Sequence, residues 1–137
     1  MEVIAKLNRL RMSPRKVRLT AALIRRMTID QAETQLRFLN KGAALPLLKL
    51  LRSAVANAKH NFKLEKDLLW IKQLNVDSGQ TIKRWRPRAF GRAAPIRKRT
   101  SKIRLILSSD PRPLVKTKRI YKPRRKNNAP AEKKATS

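Results

Sequence analysis

The residue types that most often carry catalysis or bind metals are scarce in this sequence. It contains no cysteine and a single histidine, His60, so disulfides, thiolate metal sites and a zinc site are not expected. The eight carboxylates show no catalytic or metal-binding spacing, and there is no glycine-rich phosphate loop. We expect His60 to lie at the C-terminal end of a helix, where the helix dipole favours a cation. The sequence therefore predicts neither an enzyme nor a protein with a metal or cofactor.

Positive charge is the chemistry that the sequence offers instead. Its 137 residues include 36 Lys or Arg and 8 Asp or Glu, a formal net charge of +28. An excess of this size destabilises a compact chain by self-repulsion and indicates a polyanionic partner. Nucleic acid is the commonest polyanion in a cell, and an anionic membrane surface is the lesser candidate. No apolar run approaches the roughly 20 residues of a membrane-spanning helix, and the first residues show no secretory signal, so we expect a cytoplasmic protein.

The highest charge density lies in residues 81–104, which read TIKRWRPRAFGRAAPIRKRTSKIR and contain ten Lys or Arg but no Asp or Glu. Trp85 and Phe90 lie between the arginines. Arginine forms forked contacts with phosphate, and aromatic residues between cations are typical of surfaces that bind unpaired bases. Trp85 could instead pack across a hairpin, and the charge run could be a solvated face, although no acidic residue balances it.

The residues before this segment predict a strand and three helices. Residues 3–11 alternate between apolar and polar side chains, which indicates a short strand. Ser13 and Pro14 are typical of a helix start, and that helix is expected to bury one side and to show positive charge on the others. The inner side of this first helix is expected to consist of Val17, Ala21, Ile24 and Met27.

The second and third helices are expected to begin at polar caps. Asp30 is predicted to cap a helix that continues to about Leu39, and Asn40 to cap a helix that ends near Asn61. Pro46 would then lie past the first turn, where it removes a backbone hydrogen bond and bends the helix. The apolar stripe of the third helix is predicted to be Leu47, Leu50, Leu51, Ala54 and Ala58. The small residues around Ala54 admit two interpretations, tight packing against protein or close approach of an RNA backbone.

The remaining residues predict a strand, a long hairpin and a tail. Residues 68–77 read as a buried strand, and residues 81–108 as one hairpin with a turn near Gly91. The outer half of the hairpin lacks apolar alternation, so it is expected to project by about 25 Å, at ~3.3 Å per residue. Such a ribbon is marginal alone and needs a partner that surrounds it, for which folded RNA is better suited than a regular duplex. Residues 110–137 are basic and rich in proline, and they predict a disordered extension to a single domain of residues 1–109.

Five segments of the sequence resemble the universal family of large-subunit ribosomal protein L22. In chain order they read SPRKVRL (13–19), LLKLLRSAVANAKHN (47–61), NVDSG (75–79), KRWRPRAFGRA (83–93) and RKRTSKI (97–103). The resemblance implies an α+β fold in which three helices pack on a small antiparallel sheet, with a long protruding β-hairpin. It also implies a protein of the large ribosomal subunit that binds 23S rRNA, supports early assembly and contacts neighbouring subunit proteins. The hairpin is expected to line the exit tunnel and to meet the nascent polypeptide there.

The functional residues are predicted from this resemblance together with the charge pattern. The residues predicted to bind rRNA are Arg9, Arg11, Arg15, Lys16, Arg18, Lys83, Arg84, Arg86, Arg88, Arg92, Arg97, Lys98, Arg99 and Lys102. The hairpin tip predicted to border the tunnel comprises Trp85, Arg86, Pro87, Arg88, Ala89, Phe90 and Gly91. The sequence departs from the family at residues 76–80, VDSGQ, where a further acidic residue and a proline are common.

Two other classes of protein share part of this composition. A DNA-binding protein with a basic β-arm would also combine helices with a hairpin, but it normally needs a dimer, and we find no apolar face left for one. A membrane-surface protein would need apolar residues opposite the charges, and the hairpin lacks them. Sedimentation with ribosomal subunits or with nucleoid DNA would separate the ribosomal from the DNA-binding interpretation.

Overall fold

The computed structural model describes residues 1–110, and the predicted extension lies, apart from Asp110, outside the described residues. The elements follow in the order β1 (Glu2–Leu10), α1 (Pro14–Ile24), α2 (Ile29–Phe38), α3 (Ala44–Phe62), β2 (Trp70–Ser78), β3 (Ile82–Pro87), β4 (Ala93–Lys98) and β5 (Ser101–Ser108). A short 3-10 helix, Lys66–Leu68, connects α3 to β2. Three helices combined with antiparallel sheets confirm the predicted α+β class.

Strand β5 lies at the centre of the body sheet, between β1 and β2, and pairs with both in antiparallel orientation. Ile103, Leu105 and Leu107 are buried and alternate with exposed Lys102 and Arg104, because successive side chains of a strand point to opposite faces. The helices cover the apolar face, with α3 against β1 and β5 and α1 against β2. The body therefore has one aliphatic core between the sheet and the helices.

Small side chains allow α3 to lie close to the sheet. Ala54 and Ala58 are fully buried in the core, together with the predicted leucines of the same helix. The packing interpretation of Ala54 is thus confirmed, since its side chain contacts protein and cannot meet RNA. Among residues 1–110, every buried side-chain nitrogen and oxygen has a hydrogen-bond partner, so this close packing leaves no buried polar side-chain atom unsatisfied.

The open edge of β2 is covered by Arg18 of α1, by the C-cap residue Arg25 and by Arg26, which follows it. Arg18 Nε donates to the Val76 carbonyl at 3.0 Å, and Arg25 Nε donates to the Leu74 carbonyl at 3.2 Å. The backbone N–H of Arg26 donates to the Ile71 carbonyl at 3.2 Å. An uncovered edge strand invites pairing with another chain, and these hydrogen bonds occupy the edge instead.

Three predicted features of the helices are wrong in detail. α1 ends at Ile24, so Met27 lies beyond the helix rather than in it. The N-cap of α2 is Thr28, and Asp30 lies in the first turn. α3 begins at Ala44 rather than after Asn40, because a turn at residues 41–44 precedes it. Pro46 consequently falls in the first turn, where a backbone N–H has no helical acceptor, so the proline removes no hydrogen bond and needs no bend.

The predicted hairpin is longer at its base than expected. It begins at Trp70, because β2 and β5 form its base within the body, and β3 and β4 form its outer part. The outer strands have six residues each, and the Arg88–Arg92 hydrogen bond and the turn carry the ribbon on to about eight residues per side, which agrees with the expected projection of about 25 Å. We use the word arm for residues 82–98 from here on.

Candidate nucleic-acid interface

The arm is a two-stranded ribbon whose two faces both carry cations. The register pairs Lys83 with Arg97, Trp85 with Pro95 and Arg86 with Ala94. Because adjacent residues of a strand face opposite sides, Lys83, Arg97 and Trp85 share one face, and Arg86 lies on the other. Like charges directly opposite each other destabilise a strand pair, so the pairing of Lys83 with Arg97 is unfavourable unless an anion lies nearby.

The free end of the arm is a tight turn that presents a phenylalanine. The Arg92 N–H donates to the Ala89 carbonyl at 3.4 Å, and the Arg88 N–H donates to the Arg92 carbonyl at 2.8 Å. The two central residues, Phe90 and Gly91, have φ of 57° and 65°, the signs that a type I′ turn requires. Glycine adopts this conformation freely, whereas for phenylalanine it is strained. The Phe90 side chain is 98% exposed, so its ring is the outermost apolar group of the arm.

The position of Trp85 is compatible with both of the roles considered for it. Its cross-strand partner is Pro95, which agrees with a packing role within the ribbon. The side chain is nevertheless 67% exposed, so most of the indole surface remains open to a ligand. An indole fixed on one side and open on the other is suited to stacking on an unpaired base.

The cations of the arm have no acidic partner in the described part of the chain. No carboxylate of residues 1–110 lies within 4.0 Å of a Lys or Arg of the arm, and all the ion pairs of these residues belong to the body. Glu33, for example, accepts hydrogen bonds from Arg52 and Lys66, each at 2.9 Å. These bonds, that of Arg52 first, lower the pKa of Glu33. The acids of the body therefore neutralise body cations and leave the arm's charge intact.

The arm leaves the body through a close crossing of two chain segments. The Gly79 N–H donates to the Thr100 carbonyl at 2.9 Å, and Thr100 Oγ1 donates to the Gln80 carbonyl at 2.7 Å. A Cβ atom on Gly79 would lie 2.5 Å from Thr100 Oγ1, closer than real contacts allow. Residue 79 is thus glycine because the crossing has no room for a side chain.

A cleft of about 380 Å³ opens beside the crossing and gathers cations from the body and the arm. Arg11, from the segment between β1 and α1, lines it together with Arg97, Lys98 and Arg99 from the arm and its root. Ser13, the N-cap residue of α1, also lines the cleft, and its side chain makes no capping hydrogen bond. We call this the junction cleft. Four cations around one concavity have the charge and the hydrogen-bond donors that phosphate groups require.

The other residues predicted to bind RNA are more scattered. Arg15 and Lys16 are exposed at the start of α1, and Lys102 is exposed on β5. Arg9 is exposed beside an irregularity in the β1–β5 pairing and has a φ of 58°. Arg18 is exposed too, but its Nε is bonded to the edge of β2, which leaves only its terminal nitrogens for a ligand.

Sequence reasoning did not find the structural role of Arg18 or of Arg25. The only available signal was their separation by seven residues, which places both on one side of a helix two turns apart. That spacing cannot show whether an arginine faces solvent or the edge of a strand.

Within residues 1–110, no helix is long and apolar enough to cross a membrane, and no three acidic, His or Cys side chains converge as metal ligands. His60 lies exposed in the last turn of α3, as expected from its position. The arm and the junction cleft are therefore the candidate functional site.

Comparison with known proteins identifies relatives along most of the chain. Residues 5–108 match the family described as ribosomal protein L22p/L17e. A large ribosomal subunit protein uL22 of Mycoplasma capricolum is 51% identical over 110 residues, which cover 80% of this chain and 99% of that protein. The protein of the same name from Desulfitobacterium hafniense is 50% identical over 97 residues, which cover 71% of this chain and 85% of that protein. The protein of the same name from Rubrobacter xylanophilus is 52% identical over 99 residues, which cover 72% of this chain and 78% of that protein.

Proposed function

The chain belongs to the ribosomal protein L22p/L17e family of large-subunit ribosomal proteins, and we propose that its arm and junction cleft bind 23S rRNA. It is a structural protein rather than an enzyme. The observation that carries the proposal is the arm itself, whose cations have no carboxylate within 4.0 Å in the described residues. A ribbon of this charge is stabilised only where phosphates surround it.

The mode of binding follows from the two faces of the arm. Cations on both faces favour a partner that encloses the ribbon, which a folded RNA does and a single duplex surface does not. The guanidinium groups contact phosphates in this proposal, while the exposed rings of Trp85 and Phe90 stack on unpaired bases. The junction cleft binds further phosphate where the arm leaves the body.

The tip of the arm, in the same proposal, lines the nascent-peptide exit tunnel. Membership of the family supports this, together with the exposed Phe90 at the outermost turn. The partners are then 23S rRNA, neighbouring large-subunit proteins and the nascent polypeptide, and the arm contributes to subunit assembly. We also propose that residues 1–109 act as one RNA-binding unit, with residues 110–137 as a separate basic extension.

Salt dependence of binding to 23S rRNA tests the RNA interface. Each phosphate contact contributes about −0.7 to −0.9 to the slope of log affinity against log salt. We expect Arg92→Glu/Arg97→Glu to weaken binding by orders of magnitude and to make the slope shallower by about 1.5. The matched control is Lys49→Glu/Lys59→Glu, which changes the same charge on exposed positions of α3 and should have a much smaller effect. Equal effects of the two variants, or equally tight binding to duplex DNA, would contradict the proposal.

A shortened arm tests the role of the tip. In this variant an Asn-Gly turn replaces residues 85–95 and joins Arg84 to its partner Ile96, which preserves the register and the junction cleft. We expect subunits with the shortened arm to assemble, but to respond differently to a macrolide-type drug that binds in the tunnel. Arg97→Glu/Arg99→Glu should instead impair assembly in sucrose gradients. An unaltered drug response with the shortened arm would refute the tunnel assignment.

A further inference from the structure

Helix α1 has a third face that is neither core nor basic. Leu19 and Leu23, one turn apart, are 71% and 50% exposed. They line a groove of about 330 Å³ whose other walls include Met12, Leu39 and Gly42. The expectation that α1 shows only positive charge outside the core is therefore wrong. We call this concavity the leucine groove.

The rim of the leucine groove is positively charged. Lys16 and Lys41 line it, and none of its lining residues is acidic. An occupant must therefore offer apolar side chains to the leucines and negative charge to the two lysines.

We propose that the leucine groove docks an apolar protein segment flanked by Asp or Glu, supplied by another protein of the large ribosomal subunit. This rests on membership of the family and not on the assignment of the arm to RNA. Burial of exposed leucines is favourable in proportion to the apolar area removed from water, and carboxylates beside the lysines complement the rim. The two requirements together describe an amphipathic acidic segment.

RNA, a second copy of this chain and the chain's own C-terminal residues fit the groove less well. Leucine has neither a charge for phosphate nor an aromatic ring for a base, so RNA would bury it without compensation. A second copy would bring another rim of lysines and a net charge of +28. Residues 111–137 are strongly basic, with Glu132 as their one acid, and would be repelled by the rim in the same way.

Site-specific photocrosslinking within assembled large subunits tests this inference. A benzophenone amino acid is placed at Leu23, and at Phe38 as a control, since Phe38 is 84% exposed and lies outside the groove. Because only chains incorporated into subunits are analysed, loss of the RNA interface would be detected separately, as absence from the particle. We expect Leu23 to yield an adduct with another ribosomal protein, at a peptide in which Asp or Glu flanks apolar residues, and Phe38 not to yield it.

Two substitutions make the result specific to the chemistry of the groove. With the probe at Leu23, Leu19→Ser should reduce the adduct at least tenfold, because it removes apolar surface from an exposed position without disturbing the core. Lys41→Glu should reduce it at least threefold, while Lys41→Arg retains it. The inference is overturned by an adduct with rRNA, with residues 111–137 or with a second copy. It is equally overturned by a cross-linked peptide without acidic residues, or by no adduct at Leu23.

Discussion

Glu33 makes more ion pairs than any other acidic residue among residues 1–110, with Arg37, Arg52 and Lys66. Its carboxylate accepts hydrogen bonds from Arg52 on α3 and from Lys66 on the 3-10 helix, so it links α2 to both. These bonds lower its pKa in the folded protein below the ordinary value of 4.5. The resulting stability is fully present above the ordinary pKa and is lost as the pH falls through the lower pKa of the folded state.

Glu33→Gln tests this linkage. We expect the variant to be less stable by about 1 kcal/mol at neutral pH, a modest value because Arg52 is more than half exposed. The difference should begin to shrink as the pH falls below the ordinary pKa of Glu33 and should approach zero below the lower pKa of the folded state, where the wild-type carboxylate becomes protonated. Urea unfolding between acidic and neutral pH measures it, and a difference that is independent of pH would contradict the role of the charge.

Gly79 controls how the arm is attached. Gly79→Ala should lower the free energy of unfolding by about 1 to 3 kcal/mol, as overpacked substitutions do, because the new methyl group meets Thr100 Oγ1. In a Thr100→Ala background the same substitution should cost less, since the nearest clashing atom is gone. A double-mutant cycle measured by thermal unfolding gives this coupling, and additive effects of the two changes would show that the crossing is not sterically limited.

At the scale of elements, the sequence specifies some boundaries and leaves others open. The Ser13-Pro14 pair predicts the start of α1 correctly, because proline at a first helical position has few alternatives. Asn40 is as suitable for a turn as for a cap, and the chain uses residues 41–44 as a turn, which the composition does not reveal. The cations of the arm can be read from the sequence. The face of the ribbon on which each cation lies cannot, because it depends on the strand register that the turn at Phe90 and Gly91 fixes.

The buried face of α3 gives a direct test of the packing of this element. Ala54→Arg should destabilise the free protein by more than about 3 kcal/mol, because it forces a charged side chain into the core. Ala56→Arg, two residues further along and exposed, should have little effect and serves as the matched control. Chemical denaturation of both variants distinguishes them, and tolerance of arginine at position 54 would contradict the core assignment.

The arm should contribute little to the stability of the body. The core cluster contains no residue between Val76 and Ile103, so none of its buried apolar surface comes from the arm. The shortened-arm variant is therefore expected to melt cooperatively, with its transition unchanged or slightly raised because like charges have been removed. Circular dichroism during thermal unfolding measures this, and loss of the cooperative transition would show that the arm is part of the folding unit.

At the scale of the whole molecule, the two signs of charge are separated in space. The carboxylates of the described residues lie on the body, where several of them form ion pairs, and the arm has cations alone. The body itself keeps an excess of cations, with 19 Lys or Arg against 7 Asp or Glu in residues 1–81 and 99–110, whereas the arm has no acid at all and is suited to surroundings that are negative on all sides. The leucine groove adds a surface of a third kind, apolar and fit for a protein partner.

The central claim is that rRNA surrounds the arm, and a cryo-electron microscopy map of large subunits that contain this chain tests it most directly. We predict rRNA against both faces of the β3–β4 ribbon, with phosphate oxygens about 3 Å from its guanidinium nitrogens, phosphate in the junction cleft and Phe90 at the wall of the exit tunnel. An arm that lies in solvent, or that packs mainly on protein with its cations away from phosphate, would contradict the account.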